Sequence, residues 1–296
     1  MIFFFADGRL GNQIFQFAFL STIAKDREKI ITFFMDELFE VFEISNKNFV
    51  NITIKNKFLK YLIRKMIPLL SKLASLLSDI RIISFIEQKR NNINKFPLPE
   101  IKIKKGVIPI KFVNSDFFQS EKLFNKHVLN TLKIKDEHVK KAVSILEEIP
   151  KYYSKVFIHV RRGDYLKEIF YNEKGINLPK SYYLKAIEII SKEVNNPYFI
   201  FLSDDPDYVR DCFEDIKPKY ISNNPVGVDF ALMTLCEYGV CSNSTFSWWG
   251  AYLSKNRKKI IAPKYWFGWK KKIEYPVGIH PTFAILLEVD LINEDE

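Results

Sequence analysis

From about residue 151 onward, short apolar runs alternate with amphipathic stretches, and polar residues gather directly after the apolar runs. This alternation constrains the fold more than any other feature, because repeated strand and helix signals produce an open parallel sheet covered by helices. Val156 to Val160 and Tyr198 to Leu202 read as buried strands, Gly239 to Cys241 as an extended segment, and Lys259 to Ala262 as the last strand. His138 to Ile149, Tyr182 to Val194, Phe230 to Glu237 and Ser244 to Ser254 read as helices. In such a sheet ligands sit outside the carboxyl ends of the strands, where the polar residues fall here.

The chain begins in the same way. Met1 to Ala6 is a β-branched and aromatic run that stops at the turn Asp7-Gly8. From Gly11 to Ala24 the pattern becomes helical, with Ile14, Phe17, Ala18, Ser21 and Ala24 on one face. Strand, glycine loop and helix open many α/β nucleotide-binding domains. A boundary is expected near Pro150, giving domains 1–150 and 151–296. Between them in character lies Tyr61 to Ile86, whose apolar residues recur at helical spacing and whose Pro68 should bend or split the helix. Pro97, Pro99 and Pro109 make the following segment poor in helix.

Several classes fall away on composition. Hydrophobic residues at 47% and charged residues at 27% exclude general disorder, which is expected only for the acidic tail Asn293 to Glu296. Met66 to Ile86 is interrupted by Lys72, Asp79 and Arg81, so no membrane span is expected. No signal peptide is legible at the start, and the expected compartment is the cytosol. Cys212, Cys236 and Cys241 are odd in number without CxxC spacing, which suggests neither a disulfide framework nor a zinc site.

The net charge of +10 is concentrated. Residues 44–113 hold 15 Lys and Arg against three acids (Asp79, Glu87, Glu100), a balance of +12, so the rest of the chain is slightly acidic. Two readings stand for this basic region. One is a cationic amphipathic surface for anionic lipid headgroups. The other is a helical hairpin packed on the first domain with a solvated lysine face. Nucleic acid is not an expected partner, because no recognised binding motif accompanies the charge.

Four segments carry candidate chemistry. His159-Val160-Arg161-Arg162-Gly163-Asp164-Tyr165 places two guanidiniums at a strand end, suited to a pyrophosphate. An ion pair between either arginine and Asp164 is the plainer alternative. Ser244-Thr245-Phe246-Ser247-Trp248-Trp249-Gly250 sets hydroxyls and free backbone N–H groups at a helix start, either as an anion site or as ordinary capping over core tryptophans. Asp205-Pro206-Asp207 follows a strand and could hold a divalent metal, accept hydrogen bonds from a base or ribose, or cap a helix. Gly8-Arg9-Leu10-Gly11-Asn12-Gln13 is a glycine loop without GxGxxG, so no dinucleotide claim follows.

Together these segments resemble the bacterial α-1,2-fucosyltransferases of glycosyltransferase family 11, and are similar more distantly to α-1,6- and protein O-fucosyltransferases. The resemblance rests on GRLGNQIFQFAF (8–19), FFQSEKLF (117–124), HVRRGDY (159–165), FLSDD (201–205), SNSTFSWWGAYL (242–253) and APKYWF (262–267), in the family's order. HVRRGDY followed by NSTFSWWGA is the specific pairing. Arg9 stands where many relatives have a second glycine, and residues 44–113 match poorly.

The resemblance implies a GT-B-like α/β fold, with two Rossmann-like domains facing an interdomain cleft. It implies an acceptor-side first domain, in which charge and periodicity place a basic helical insertion (about 44–113), and a second domain binding GDP-fucose. The implied reaction is inverting transfer of L-fucose to O2 of a galactoside, in O-antigen or other surface-glycan synthesis, with no metal or other cofactor. The implied acceptor is an oligosaccharide or lipid-linked glycan, and residues 44–113 offer a peripheral contact with the inner face of the plasma membrane. By motif position Arg161, with Arg162, Thr245 and Ser247, would hold the donor phosphates. His159 and Asp205 would meet guanine and ribose, and Asn12 would face the reacting centre. Asp164, Gly11, Phe246 and Ser244 are supporting candidates. No general base is assigned.

Overall fold

The structure is a computed structural model and describes residues 1–290; the tail Asn293 to Glu296 lies outside the described residues. The chain divides into two compact units, Met1–Lys133 and the residues from Ile134 onward. The division falls before the boundary expected near Pro150. The helix α4 (Asp136–Glu147), assigned from sequence to the first domain, packs against α7 (Val226–Leu235) of the second. Gly227 makes that approach close, since a Cβ there would stand 2.5 Å from His138 Nε2.

In the first unit the strands are β1 (Ile2–Phe5), β2 (Ile30–Phe33), β3 (Phe42–Ile44), β4 (Phe49–Ile52), β5 (Ser84–Arg90), β6 (Pro97–Lys104), β7 (Lys111–Val113) and β8 (Leu132–Ile134). Six of them form one sheet in the order β4-β2-β1-β7-β5-β6. All neighbours are parallel except β5 and β6. A parallel sheet needs helical crossovers, and α1 (Leu10–Ile23) supplies the one between β1 and β2. The expected single apolar face of α1 is too narrow a description. Every residue from Gln13 to Leu20 is buried; Gln13 donates to the Gly8 carbonyl and accepts from Leu38 N, and Gln16 donates to the Asp7 and Asp116 carbonyls while its Oε1 has no partner among the described residues. The helix α2 (Asp36–Val41) precedes β3, which pairs with β8 apart from the main sheet.

The basic region is not a helical insertion. It contributes β4, one helix α3 (Lys57–Asp79), and then β5, β6 and β7 of the main sheet. Pro68 lies inside α3 without splitting it. Ser84 to Arg90, read through Ile86 as a continuation of the helical spacing, is a strand in which Phe85, Ile86 and Gln88 are buried and Lys89 and Arg90 are exposed. The edge strand β6 accounts for part of the charge. Its prolines and lysines discourage pairing with another chain, and Lys89–Glu100, Lys102–Glu87 and Lys104–Asp79 ion pairs use all three acids of the region.

The second unit contains β9 (Ser154–Val160), β10 (Ile169–Phe170), β11 (Glu173–Lys174), β12 (Pro197–Ser203), β13 (Lys219–Ile221), β14 (Tyr238–Val240), β15 (Lys259–Pro263) and β16 (Ile285–Leu287). Its remaining helices are α5 (Lys180–Glu193), α6 (Pro206–Cys212) and α8 (Thr245–Tyr252). The main sheet is parallel throughout, in the order β13-β12-β9-β14-β15-β16. Val156, Ile158, Val160, Phe199 and Phe201 of its central strands pack on Tyr182, Tyr183 and Ala186 of α5. The strand at 259–263 is not the last, because β16 adds beside it. The short β13 also escaped sequence reading, since three partly exposed residues carry no periodic signal.

Candidate functional site

Numbered within the second unit, the strand order is 3-2-1-4-5-6, the doubly wound order of dinucleotide-binding folds. Strand order reverses between β9 and β14, and the crevice outside their carboxyl ends is where such sheets place ligands. His159, Arg161 and Arg162 lie at the end of β9. Ser203, Asp204 and Asp205 end β12, and Ser242, Asn243 and Ser244 lead from β14 into α8. The folding of the sheet therefore gathers three of the four sequence motifs at one edge.

The arginines are held by carboxylates from both neighbouring motifs. Arg161 is only 13% exposed, and its guanidinium meets Asp204 Oδ2 at 2.9 Å and Asp164 Oδ1 at 2.5 Å. Arg162 donates Nε–H to Asp205 Oδ2 at 3.2 Å and its backbone N–H to Asp204 Oδ1 at 2.9 Å. Its guanidinium carbon lies 3.5 Å from the centroid of the Tyr208 ring. Gly163 permits this closeness, for a Cβ there would fall 2.4 Å from Asp204 Oδ2. The ion pair with Asp164 is thus present, as the plainer reading expected. Yet both guanidiniums are oriented at a strand end rather than dispersed over the surface.

Each carboxylate after β12 has its own partners. Asp205 caps α6 by accepting from Tyr208 N at 3.2 Å, with Pro206 at the first helical position. Asp207 pairs instead with Arg210. No group of three or more His, Cys, Asp or Glu able to hold a metal occurs among the described residues.

His159 is 5% exposed, and its Nδ1 has no hydrogen-bond partner among the described residues. Burial, reinforced by the nearby Arg161 charge, lowers its pKa to about 3, so the imidazole is neutral near pH 7. Its ring lies 5.4 Å from that of Phe246, centroid to centroid. A neutral imidazole with an unused polar atom beside an aromatic ring suits a planar heterocycle better than an anion.

At the start of α8, Ser244 caps the helix through Phe246 N, so capping is real. Thr245 and Ser247 are buried on the same turn, and the Ser247 hydroxyl donates to the Ser244 carbonyl at 3.1 Å. Trp248 and Trp249 are core, with Trp248 Nε1–H donating to the Ile279 carbonyl. Asn12 and Gly11 belong to the first unit, on the first turn of α1. There Asn12 Oδ1 accepts from Gln119 Nε2 at 2.7 Å, and the positive φ of Gly8 brings the loop against the Asn12 side chain. This joins the glycine loop to the FFQSEKLF segment, which sequence spacing left unconnected.

Sequence reading missed the supporting polar network. Tyr182 and Tyr183 of α5 donate to the Cys241 carbonyl and Ser242 Oγ, and Asn243 Nδ2 donates to the Ile176 carbonyl. Tyr165 reaches the Asn243 carbonyl. Half-buried Asp229, in the first turn of α7, accepts a hydrogen bond from Ser222 Oγ at 2.5 Å, and desolvation raises its pKa to about 7. Nothing in the sequence distinguished it from an ordinary acid at a helix start.

Solved structures similar to this fold include fucosyltransferases. The chain matches POFUT1 in complex with GDP at a TM-score of 0.51, with 14% identity over 88% of this chain and 97% of the other. NodZ from Bradyrhizobium matches at 0.52, with 11% identity over 88% and 94%. With its two parallel-sheet units, the protein has the GT-B class of α/β fold. Residues 4–273 match the model of glycosyl transferase family 11, and the chain belongs to that family. Among its relatives, the O-antigen biosynthesis glycosyltransferase WbnK of Escherichia coli is 34% identical over 39% of this chain and 40% of its own length. The alpha-1,2-colitosyltransferase of Escherichia coli is 30% identical over 51% and 54%. Galactoside alpha-(1,2)-fucosyltransferase 1 of Rattus norvegicus is 33% identical over 33% and 28%. The matched stretches thus span about half or less of these curated relatives.

Proposed function

We propose that the protein transfers L-fucose from GDP-β-L-fucose to O2 of a galactoside during synthesis of a surface glycan such as O-antigen. The single observation that carries the donor half is the pair of guanidiniums at the end of β9, beside the point where strand order reverses. In the reaction the bond from fucose C1 to the β-phosphate oxygen breaks, and GDP leaves with the electron pair. The acceptor hydroxyl bonds to C1 from the opposite face and loses its proton, which turns β into α. Charge accumulates on the departing phosphate as the sugar becomes oxocarbenium-like. Donors fixed on that phosphate bind the transition state more tightly than the ground state. Each hydrogen bond to a charged group contributes about 1.5–3 kcal/mol, so Arg161 with one or two further donors supplies several powers of ten in rate.

Arg162, Thr245 and Ser247 complete the proposed phosphate site, with Ser244 capping the helix that carries the latter two. His159 and Asp205 take guanine and ribose, with Phe246 beside the base, and Asp164 orients Arg161. Asn12, beside Gly11 on the first turn of α1, acts at the acceptor side. The chemistry proceeds without a metal. Arginines neutralise the phosphates, and Asp204 and Asp205 are already engaged by those arginines. Calorimetric titration with GDP, UDP and ADP tests the nucleotide, and a GDP-fucose assay over β-galactosides with linkage read by NMR tests the transfer. Equal affinity for all three nucleotides would sink the donor assignment.

A second donor is favoured by one observation. The colitosyltransferase match covers a larger share of this chain than the mammalian fucosyltransferase match. Colitose is fucose without O3, so comparing kcat/KM for the two GDP sugars separates the readings. A site that hydrogen-bonds O3 rejects the deoxy sugar by orders of magnitude.

A further inference from the structure

The helix α3 leaves a full apolar stripe exposed, with only Ile63, Ile67, Leu70 and Leu77 of its large apolar residues half-buried. Amphipathic helices of globular proteins bury the apolar stripe and expose the polar one, yet here the buried residues are the small Ala74 and Ser78, with Ser71 half-buried beside them. Leu59, Leu62, Met66, Leu69, Leu73, Leu76 and Ile80 recur at alternating steps of three and four and are all exposed, Leu69 at 64% and Ile80 at 68%. With about 100° of rotation per residue they form one continuous stripe. Phe58 lies on its border at 69% exposure. The stripe continues past the helix end, where Val107 and Ile108, both exposed, bond through their backbone N–H groups to the carbonyls of Arg81 and Ile82. Contiguous apolar surface of this extent marks an interaction site.

Charge selects the partner. Lys57, Lys65 and Lys72 fall along one flank of the stripe, and none makes an ion pair among the described residues. Lys60 and Arg64, further round, pair with Asp36 and Asp7. The helix bears five cations, and its one acid, Asp79, is taken by Lys104. Two copies joined along this stripe would bring those unpaired lysines together. An apolar face edged by unpaired lysines fits an anionic bilayer surface, with leucines at the acyl boundary and ammonium groups among the headgroups.

We propose that α3 docks the protein flat on a membrane rich in anionic lipid. Among the described residues no helix is long and apolar enough to cross one, so the contact is interfacial. The proposal is independent of the donor assignment, and its test reads no transfer activity.

The test is flotation of the full chain with vesicles of phosphatidylcholine alone and with phosphatidylglycerol added. Binding to the anionic vesicles only, and its loss at high salt, is the expected result. Lys65→Glu/Lys72→Glu should weaken partitioning at low salt by about 25-fold or more, at roughly fivefold per lysine removed. Leu69→Glu/Leu73→Glu should abolish it with an unchanged melting temperature, since all four positions are exposed. Failure to float with anionic vesicles would overturn the proposal, as would flotation insensitive to both variants. A dimer by light scattering that Leu69→Glu/Leu73→Glu converts to monomer would also overturn it, by assigning the stripe to a second copy.

Discussion

Arg161 shows how a single side chain serves structure and site together. Its partners Asp164 and Asp204 fix the guanidinium without burying it fully, so removing it should disturb chemistry more than folding. Arg161→Ala is expected to lower kcat/KM by about 10²–10³-fold with a nearly unchanged melting curve. Near-normal turnover would refute its role on the phosphate. Gly163→Ala is a subtler test, because the added Cβ displaces the Asp204 carboxylate that orients Arg161. GDP affinity should fall about tenfold or more, measured by calorimetry. Two desolvated titratable groups act in opposite directions on stability. His159 stays neutral when folded, so stability is lost as pH falls from about 6.5 toward 3, where only the unfolded chain takes up the proton. Asp229 keeps its proton up to about pH 7 when folded, so stability is lost as pH rises through that value. Asp229→Asn should therefore raise the melting temperature more at pH 8 than at pH 5. An equal shift at both would show that Asp229 is not held protonated.

At the scale of elements, the carboxyl ends of β9, β12 and β14 do the assembling. The β9–β14 pairing is tight because Gly239 lies against the Phe157 ring, where a Cβ would stand 2.0 Å from a ring carbon. Phe157 is fully buried and cannot withdraw. Gly239→Ala should cost about 1–3 kcal/mol in a denaturant melt, and a silent substitution would mean the two strands have room to part. The motifs at these strand ends were legible because strand ends coincide with abrupt changes from apolar to polar residues. The network from Tyr182, Tyr183 and Asn243 was not, since its donors come from α5 and a loop far away in sequence. The helix α3 was legible as a helix, but not in its orientation. Periodicity reports that an apolar stripe exists, whereas only the packed structure shows that the side carrying Ala74 and Ser78 is the buried one.

For the whole molecule, two largely parallel sheets in separate units predict unequal responses to nucleotide. Hydrogen exchange with GDP should show added protection after β9, β12 and at the start of α8, with little change around β1 and α1. Protection concentrated on the first unit would overturn the placement of the donor. Activity should be indifferent to EDTA; inhibition reversed by added metal would require Asp205 and Asp207 to be reread as ligands.

What the amino-acid order determined by itself was local: strands and helices with strong periodicity, the motifs between them, and through those motifs a resemblance to one family. These depend on neighbours a few residues apart, and local patterns record them. Tertiary structure decided which strands lie side by side, that residues 44–113 complete a sheet, and that the first unit ends at Lys133. It also decided that α3 keeps its leucines outside. Each of these depends on contacts between segments far apart in the chain, where the gain from burial is shared among many residues and no single stretch carries the signal.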